Sequence, residues 1–277
     1  MKLRGIGRSR NIEDRRGKRG GGGAKIGGIG LLVVLAVGYF AGIDVSPLLQ
    51  DQGGQTTTAR PITEEEERAA EFSSQVLTTT EAVWTQIFDQ QLGQQYNPPV
   101  MVLYSGVTQS PCGGASGATG PFYCPADRKA YLDTEFFTTL SQQLGARGDF
   151  AAAYVIAHEV AHHVQNELGI LPEVHRARQR ATQVQANALT VRLELQADCL
   201  SGVWARAVGS LLEPGDLEEA VNAAQMIGDD HLQRRAGRVP QPHTFQHGTS
   251  EQRARWFATG YESGQVQDCD TFSANQL

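Results

Sequence analysis

An uncharged apolar segment, residues 26–43, constrains this sequence more than any other feature. It reads IGGIGLLVVLAVGYFAGI, and its length is near the short end of the roughly 17–25 residues that cross a bilayer as a helix. Tyr39 and Phe40 lie near its outer end, where aromatic rings suit a membrane interface. The segment predicts one N-terminal transmembrane helix. A buried core helix or a cleaved signal peptide is the alternative, but the preceding basic region is long and no clear small-residue cleavage site follows.

The charge distribution predicts the orientation of this helix. The chain has a formal net charge of −6, yet residues 1–25 carry nine Lys and Arg against two acidic residues. Because basic flanks stay in the cytoplasm, we expect a basic cytoplasmic arm (1–25), a transmembrane anchor (26–43) and an extracytoplasmic remainder, in a single-pass membrane protein. The overall acidic charge argues against nucleic acid as a partner, and orientation together with anionic lipid accounts for the charge of the arm.

Four cysteines lie on the predicted outer side and bear on this topology. Their even number suits an oxidising compartment with two disulfide bonds. Cys112 and Cys124 bracket a Gly-rich loop that can close on itself, which leaves Cys199 with Cys269. The alternatives are free thiols and a zinc site. The sequence has no Cys-x-x-Cys pair, so the evidence for a zinc site at these cysteines is weak.

A polar stretch at residues 44–60 is interpreted as a flexible linker, so residues 61–277 form the predicted domain. Thr63 with Glu66 fits a capping box, and Gly93 is a natural helix end. Strands are predicted at about 99–104 and 130–133, and helices at about 136–144, 149–169, 173–208 (with or without an interruption), 216–233 and 249–261. Asp149 and Asp216 are the expected N-caps of two of these helices. The pattern predicts an α+β fold, mostly helical with a small sheet.

A His-Glu-x-x-His sequence at residues 158–162 carries the predicted chemistry. It lies in a strongly helical window, so His158 and His162 project from the same helix face and can share one Zn²⁺. Glu159 is too close along the helix to be a natural third ligand. It is positioned to take a proton from a water that the metal activates.

A Glu-x-x-x-Asp pair supplies the predicted third ligand. A catalytic zinc needs three protein ligands and an open fourth position. Glu194 and Asp198 lie on one face of a second predicted helix. Glu194 can bind the metal, while Asp198 can accept the free N–H of a ligand histidine. The alternative is two solvated acids, but neighbouring Ala197 and Gly202 indicate close helix packing instead.

These motifs, in order along nearly the whole chain, resemble the neutral zinc metallopeptidase family, membrane-anchored bacterial proteins related in motif to thermolysin-like peptidases. The similar segments are 11–17 (NIEDRRG), 120–125 (GPFYCP), 131–133 (YLD), 148–151 (GDFA), 157–165 (AHEVAHHVQ), 194–199 (ELQADC), 227–230 (IGDD) and 247–253 (HGTSEQR). The resemblance implies a zincin-like domain in the bacterial cell membrane, with one zinc per chain held by His158, His162 and Glu194, and with Glu159 as the base.

The remaining polar candidates are assigned by position. His163 points about 100° away from His162 around the helix, so we expect it to pack or to form hydrogen bonds. The segment 247–253 resembles the late His-Pro-Ser segment of related membrane-linked zinc peptidases, and this resemblance favours His247 over His243 as the donor to the oxyanion of the tetrahedral intermediate. Arg253 is expected to orient His247, to pair with a carboxylate, or to be a simple surface charge.

The sequence therefore predicts a membrane-anchored zinc endopeptidase that hydrolyses extracytoplasmic proteins or peptides. Its substrate is expected to lie extended along a strand edge near residues 131–133. The alternative is a metal-stabilised, non-catalytic binding or scaffold protein of the cell envelope. Glu159 separates the two functions, because a scaffold needs the three ligands but has no use for a base.

Overall fold

A computed structural model describes three stretches of the chain, residues 1–17, 61–116 and 120–277. The predicted anchor at 26–43 and the predicted linker at 44–60 lie outside these stretches. Within them, no helix combines the length and the apolar character that a membrane span requires.

The described residues form a mostly helical α+β fold, as predicted. The helices are α1 (Glu64–Ile87), α2 (Phe136–Thr138), α3 (Asp149–Glu167), α4 (Ile170–Arg178), α5 (Gln183–Ala207), α6 (Asp216–Met226), α7 (Asp229–Arg235) and α8 (Ser250–Ser263). The strands are β1 (Ile12–Asp14), β2 (Val100–Tyr104), β3 (Val107–Ser110), β4 (Gly113–Ser116), β5 (Phe122–Cys124) and β6 (Lys129–Asp133).

Capping boxes start two helices where the sequence predicted them. At α1 the Thr63 hydroxyl accepts from the Glu66 N–H, and the Glu66 carboxylate accepts from the Thr63 N–H. Thr249 and Gln252 make the same reciprocal pair at α8. Gly93, with a φ of 64°, ends the helical turn that continues α1. These boundaries depend only on residues three positions apart, so local sequence is sufficient to predict them.

Two other helices begin as predicted, at 149 and 216, but their predicted N-caps are wrong by one residue. Asp149 and Asp216 are the first helical residues of α3 and α6, and neither caps its helix through its side chain. The N-cap positions belong to Gly148 and Gly215, whose φ angles of 104° and 99° suit glycine. The helical stretch predicted at 173–208, for which an interruption was open, is two helices, α4 and α5, separated by a turn before Thr182.

The main sheet has four strands in the order β1-β2-β6-β5. β2 pairs in parallel with β1 and with β6, whereas β5 pairs antiparallel with β6. The hairpin of β3 and β4 forms a second sheet that the sequence did not predict. β6 pairs with β2 at residues 129–133 and with β5 at residues 129–131, so the substrate edge that we predicted at residues 131–133 is wrong at Tyr131. β1 and β5 are the edge strands.

Residues 1–17 lie against the domain and contribute β1 to its sheet. Met1 and Leu3 are buried in the main hydrophobic core, and the Lys2 N–H donates to the Leu211 carbonyl at 2.7 Å. The prediction of a basic arm separated from the domain is therefore wrong for these residues. Arg8, Arg15 and Arg16 form ion pairs within the fold, which a count of basic residues does not detect.

Helix α3 lies at the centre of the core. All its residues from Phe150 to Gln165 are buried except the half-buried Glu159. Helices α1, α5 and α6 and strand β5 contact it on different sides. The helix therefore holds its histidines in a rigid setting.

Two glycines bring α5 and α8 together at backbone contact. A Cβ atom at Gly202 would lie 2.1 Å from the carbonyl oxygen of Phe257, and one at Gly260 would lie 1.8 Å from that of Cys199. Any larger residue would force the helices apart. This close approach places α8 side chains beside the carboxylates of α5.

Both predicted disulfide bonds are present, Cys112–Cys124 and Cys199–Cys269. The second joins α5, next to Asp198, to the C-terminal segment across 70 residues of sequence. We expect Cys199→Ala with Cys269→Ala to lower the free energy of unfolding by about 4 kcal/mol in the chain-entropy model. Urea denaturation measures it. Cys112→Ala with Cys124→Ala, which opens a loop of separation 12, is the comparison, and a larger loss in that variant would contradict the prediction.

Candidate metal centre

His158 and His162 project from one face of α3 into a cleft. Their ring centroids lie 4.8 Å apart, with the rings nearly perpendicular. His158 Nδ1 lies 2.9 Å from Asp198 Oδ1, and His162 Nδ1 lies 2.8 Å from the amide oxygen of Gln165. Both partners are acceptors, so each imidazole donates through Nδ1–H. Nε2, which faces Glu194 in both histidines, is therefore the nitrogen that can bind a metal.

Glu194, on α5, meets both Nε2 atoms. Its Oε2 lies 3.2 Å from His158 Nε2, and its Oε1 lies 3.5 Å from His162 Nε2. Ligands of a tetrahedral zinc at about 2.0–2.1 Å lie about 3.3 Å from one another. The three side chains therefore fit a single zinc ion, and their ligand atoms all lie within 4.8 Å of one another. Burial opposes ionisation of Glu194, but the two histidines hold its pKa well below its usual value, which favours the ligand form.

Asp198 is fully buried and accepts from three side chains. Besides His158, the Tyr154 hydroxyl donates to Oδ1 at 2.5 Å. Arg253 donates through Nε to Oδ2 and through Nη2 to Oδ1, both at 2.9 Å. Burial alone would raise the pKa of Asp198, but Arg253 and His158 lower it. The carboxylate therefore stays ionised and orients His158, and Arg253, itself buried, pairs with Asp198 and not with His247.

Sequence reasoning missed two supports of this cluster, Tyr154 and Gln165. Gln165 holds His162 and in turn donates to the Leu193 carbonyl at 2.7 Å, which links α3 to α5. Tyr154 lies four residues before His158, and Gln165 lies three residues after His162. Helical spacing thus placed both near the histidines, but neither residue type indicates a metal site.

Glu159 lines the same cleft as the three candidate ligands. Its carboxylate makes no hydrogen bond with any residue that the structure describes. Burial raises its pKa, although His162 and His158 oppose the shift. A carboxylate with a raised pKa and no competing partner is suited to accept a proton.

His247 lies at the cleft beside this cluster and is held by Asp229. His247 Nδ1 lies 3.2 Å from Asp229 Oδ1, while Oδ2 accepts the backbone N–H groups of residues 246, 247 and 248 at 2.6–3.0 Å. The His247 side chain is 49% exposed; desolvation within the cleft opposes its protonation, but Asp229 and Glu194 raise its pKa. His243 does not line the cleft, and its carbonyl accepts from Asn187. Asp229 belongs to the sequence motif at 227–230, but the motif alone does not predict that Asp229 holds His247.

His163 faces away from the cluster, as predicted. Its Nε2 lies 2.6 Å from the Asn97 carbonyl oxygen, so it donates there, and its Nδ1 accepts from the Tyr123 hydroxyl at 3.0 Å. Burial lowers its pKa to about 4. His163 is therefore a neutral residue that joins α3 to strand β5.

The cleft has a volume of about 490 Å³, enough for several substrate side chains. Apolar side chains line much of it, among them Pro121, Phe122, Leu193 and Ile227. The ionisable lining groups include those of the candidate metal centre and also His175 and Arg178 of α4.

Two histidines one helical turn apart, a glutamate from a second helix and a free glutamate between the histidines define a site of the zinc metallopeptidase class. The chain belongs to the family described as "Putative neutral zinc metallopeptidase", which matches residues 1–272.

Relatives match over most of the chain. The "Uncharacterized protein YpfJ" of Escherichia coli (strain K12) is 48% identical over 286 residues, which cover 98% of this chain and 99% of that protein. The "Uncharacterized protein Rv2575" of Mycobacterium tuberculosis (strain H37Rv) is 42% identical over 212 residues, 72% of this chain and 69% of that protein. No solved structure matches the chain.

Proposed function

We propose that this protein is a zinc-dependent endopeptidase that hydrolyses peptide bonds of extracytoplasmic proteins or peptides. The observation that carries the proposal is the convergence of His158 Nε2, His162 Nε2 and the Glu194 carboxylate. Each histidine is already oriented by an acceptor at Nδ1, so the cluster is preorganised. The two disulfide bonds support an oxidising compartment outside the cytoplasm.

Glu159 and His247 have different proposed roles in the hydrolysis. When bound, Zn²⁺ supplies Lewis-acid chemistry at the scissile carbonyl and lowers the pKa of water. Glu159 accepts the proton of the attacking water and passes it to the leaving amine. His247 keeps Nδ1–H on Asp229, and its raised pKa favours a proton on Nε2 as well. That second N–H donates to the developing oxyanion.

Strand β5 is the proposed binding edge for the substrate backbone. It is an edge strand, and Phe122 and Tyr123 of this strand also line the cleft. An extended peptide that pairs with a free strand edge gains main-chain hydrogen bonds without sequence preference. The apolar walls then select among its side chains.

A chelation experiment tests the proposed function. The purified full-length chain is incubated with an unfolded, fluorescently labelled protein such as casein, and metal content is measured in parallel. We expect about one zinc per chain, loss of hydrolysis with 1,10-phenanthroline, and recovery when zinc is restored. Hydrolysis that is indifferent to the chelator would overturn the proposal.

His247→Ala is expected to lower kcat about 10²-fold, since it removes one donor to the oxyanion. Zinc content should not change, because His247 is not among the three converging ligands. His243→Ala is the matched control, as it lies in the same loop but outside the cleft. Steady-state kinetics on one peptide measures both variants, and an equal loss in the two would rule out the assignment to His247.

A further inference from the structure

Residues 1–17 are held by the domain through a continuous set of contacts. The Ser9 N–H donates to the Ser74 hydroxyl at 2.9 Å. The Ser9 hydroxyl and the Asn11 side-chain amide both donate to Glu81 Oε1, at 2.6 and 2.8 Å. Ser74 and Glu81 belong to α1, so the N-terminal segment lies along that helix.

Strand β1 joins the sheet in register with β2. Ile12, Glu13 and Asp14 pair with residues 101–103. The ladder extends beyond the strand at both ends, because the Asn11 carbonyl accepts from Met101 and the Arg15 N–H donates to the Leu103 carbonyl, both at 2.8 Å. Without β1, the backbone of β2 would be unpaired on that side, and burial of such groups is costly.

Arg16 ends this segment in a buried position. Its side chain is 4% exposed. Nη1 donates to the Glu66 carbonyl at 2.7 Å, and Nη2 pairs with Asp14 at 2.7 Å and with Glu67 at 3.0 Å. A guanidinium is buried only where such partners compensate for lost hydration. Glu66 and Glu67 are in the first turn of α1, so Arg16 attaches the end of the segment to the start of that helix.

The domain also accounts for other basic charge of the segment. Arg8 pairs with Glu71 at 3.1 Å, and Arg15 pairs with Glu13 at 2.7 Å. Glu13 further binds Lys129 of β6 at 2.6 Å. The charge asymmetry of the sequence is thus partly complementarity between two parts of one fold, and it is not by itself an orientation signal.

From these contacts we propose that residues 1–17 and residues 61–277 lie in the same compartment. A single membrane crossing between residues 17 and 61, which the sequence predicts, would place the two parts on opposite sides of the bilayer. Strand β1 could not then pair with β2, nor could Arg16 reach Glu67. The disulfide bonds of the domain put this shared compartment outside the cytoplasm, with the N-terminal segment there as well.

Cysteine labelling of the full-length chain in intact cells tests the proposal. Gly7 and Val184 are both exposed, one in each part, and all four native cysteines are in disulfide bonds. Gly7→Cys and Val184→Cys are made separately and treated with a membrane-impermeant maleimide before and after permeabilisation. We expect the two positions to react under the same condition. Reaction of one before permeabilisation and of the other only afterwards would overturn the proposal.

Thermal unfolding of the full-length chain tests the docked state itself. Arg16→Ala should lower Tm by roughly 5 °C or more, because it removes a buried side chain and its hydrogen bond to the Glu66 carbonyl, together with the ion pairs to Asp14 and Glu67. Arg4→Ala, an exposed basic residue of the same segment, should leave Tm unchanged. Equal Tm values for the two variants would contradict the docking.

The labelling experiment has one further outcome. Labelling of both cysteines only after permeabilisation would preserve the shared compartment but remove the extracytoplasmic part of the proposed function.

Discussion

Glu159→Gln is expected to lower peptide hydrolysis by about 10²–10⁴-fold while the chain still binds zinc. The amide has the shape of the carboxylate but cannot accept a proton, and general-base catalysis contributes a factor of this size. Glu159 makes no hydrogen bond with a described residue, so the substitution disrupts no contact there. Hydrolysis of a peptide and zinc content are measured on the same preparation.

Glu167→Gln is the matched control for this variant. Glu167 is on the same helix, α3, but pairs with Arg128 and does not line the cleft. It should retain wild-type turnover. Undiminished turnover in Glu159→Gln would eliminate the proposed base, whereas a wild-type chain that binds zinc and cleaves no peptide would favour the scaffold function.

His162→Ala is expected to weaken zinc binding by more than roughly 100-fold. Loss even of a residue that only orients a ligand costs 10–100-fold in metal affinity, and this change removes a ligand atom from the cluster. His162 Nε2 lies 3.5 Å from Glu194, so the remaining pair would hold the ion with one donor fewer. Competition with a chromogenic chelator measures the affinity.

His163→Ala is the control, because its imidazole is the immediate neighbour in sequence but faces Asn97 and Tyr123. We expect zinc affinity to persist, with a lower Tm because a buried side chain and two hydrogen bonds are lost. Circular dichroism identifies any unfolded preparation. Equal loss of zinc in both variants would refute the assignment of His162 as a ligand.

Local sequence was sufficient wherever a few neighbouring residues set the geometry. The capping boxes at Thr63 and Thr249 depend on a residue three positions along, and the shared face of His158 and His162 depends only on helical periodicity. The two disulfides could be paired because four cysteines and one short flexible loop left a single natural partition.

The tertiary structure decided everything that depends on how distant elements pack. The pairing of Arg253 with Asp198 requires α5 and α8 to touch at Gly202 and Gly260. The helical periodicity of the sequence does not predict that contact. The position of β6 inside the sheet follows from strand pairing across the Gly-rich loop.

The N-terminal segment shows the same limit. Strand β1 has only three residues, too few for an alternating pattern. The basic residues of the segment look the same in the sequence whether their side chains face lipid, water or the acidic first turn of α1. Charge along a sequence identifies that a partner of opposite sign is needed, but only the folded chain determines which one is within reach.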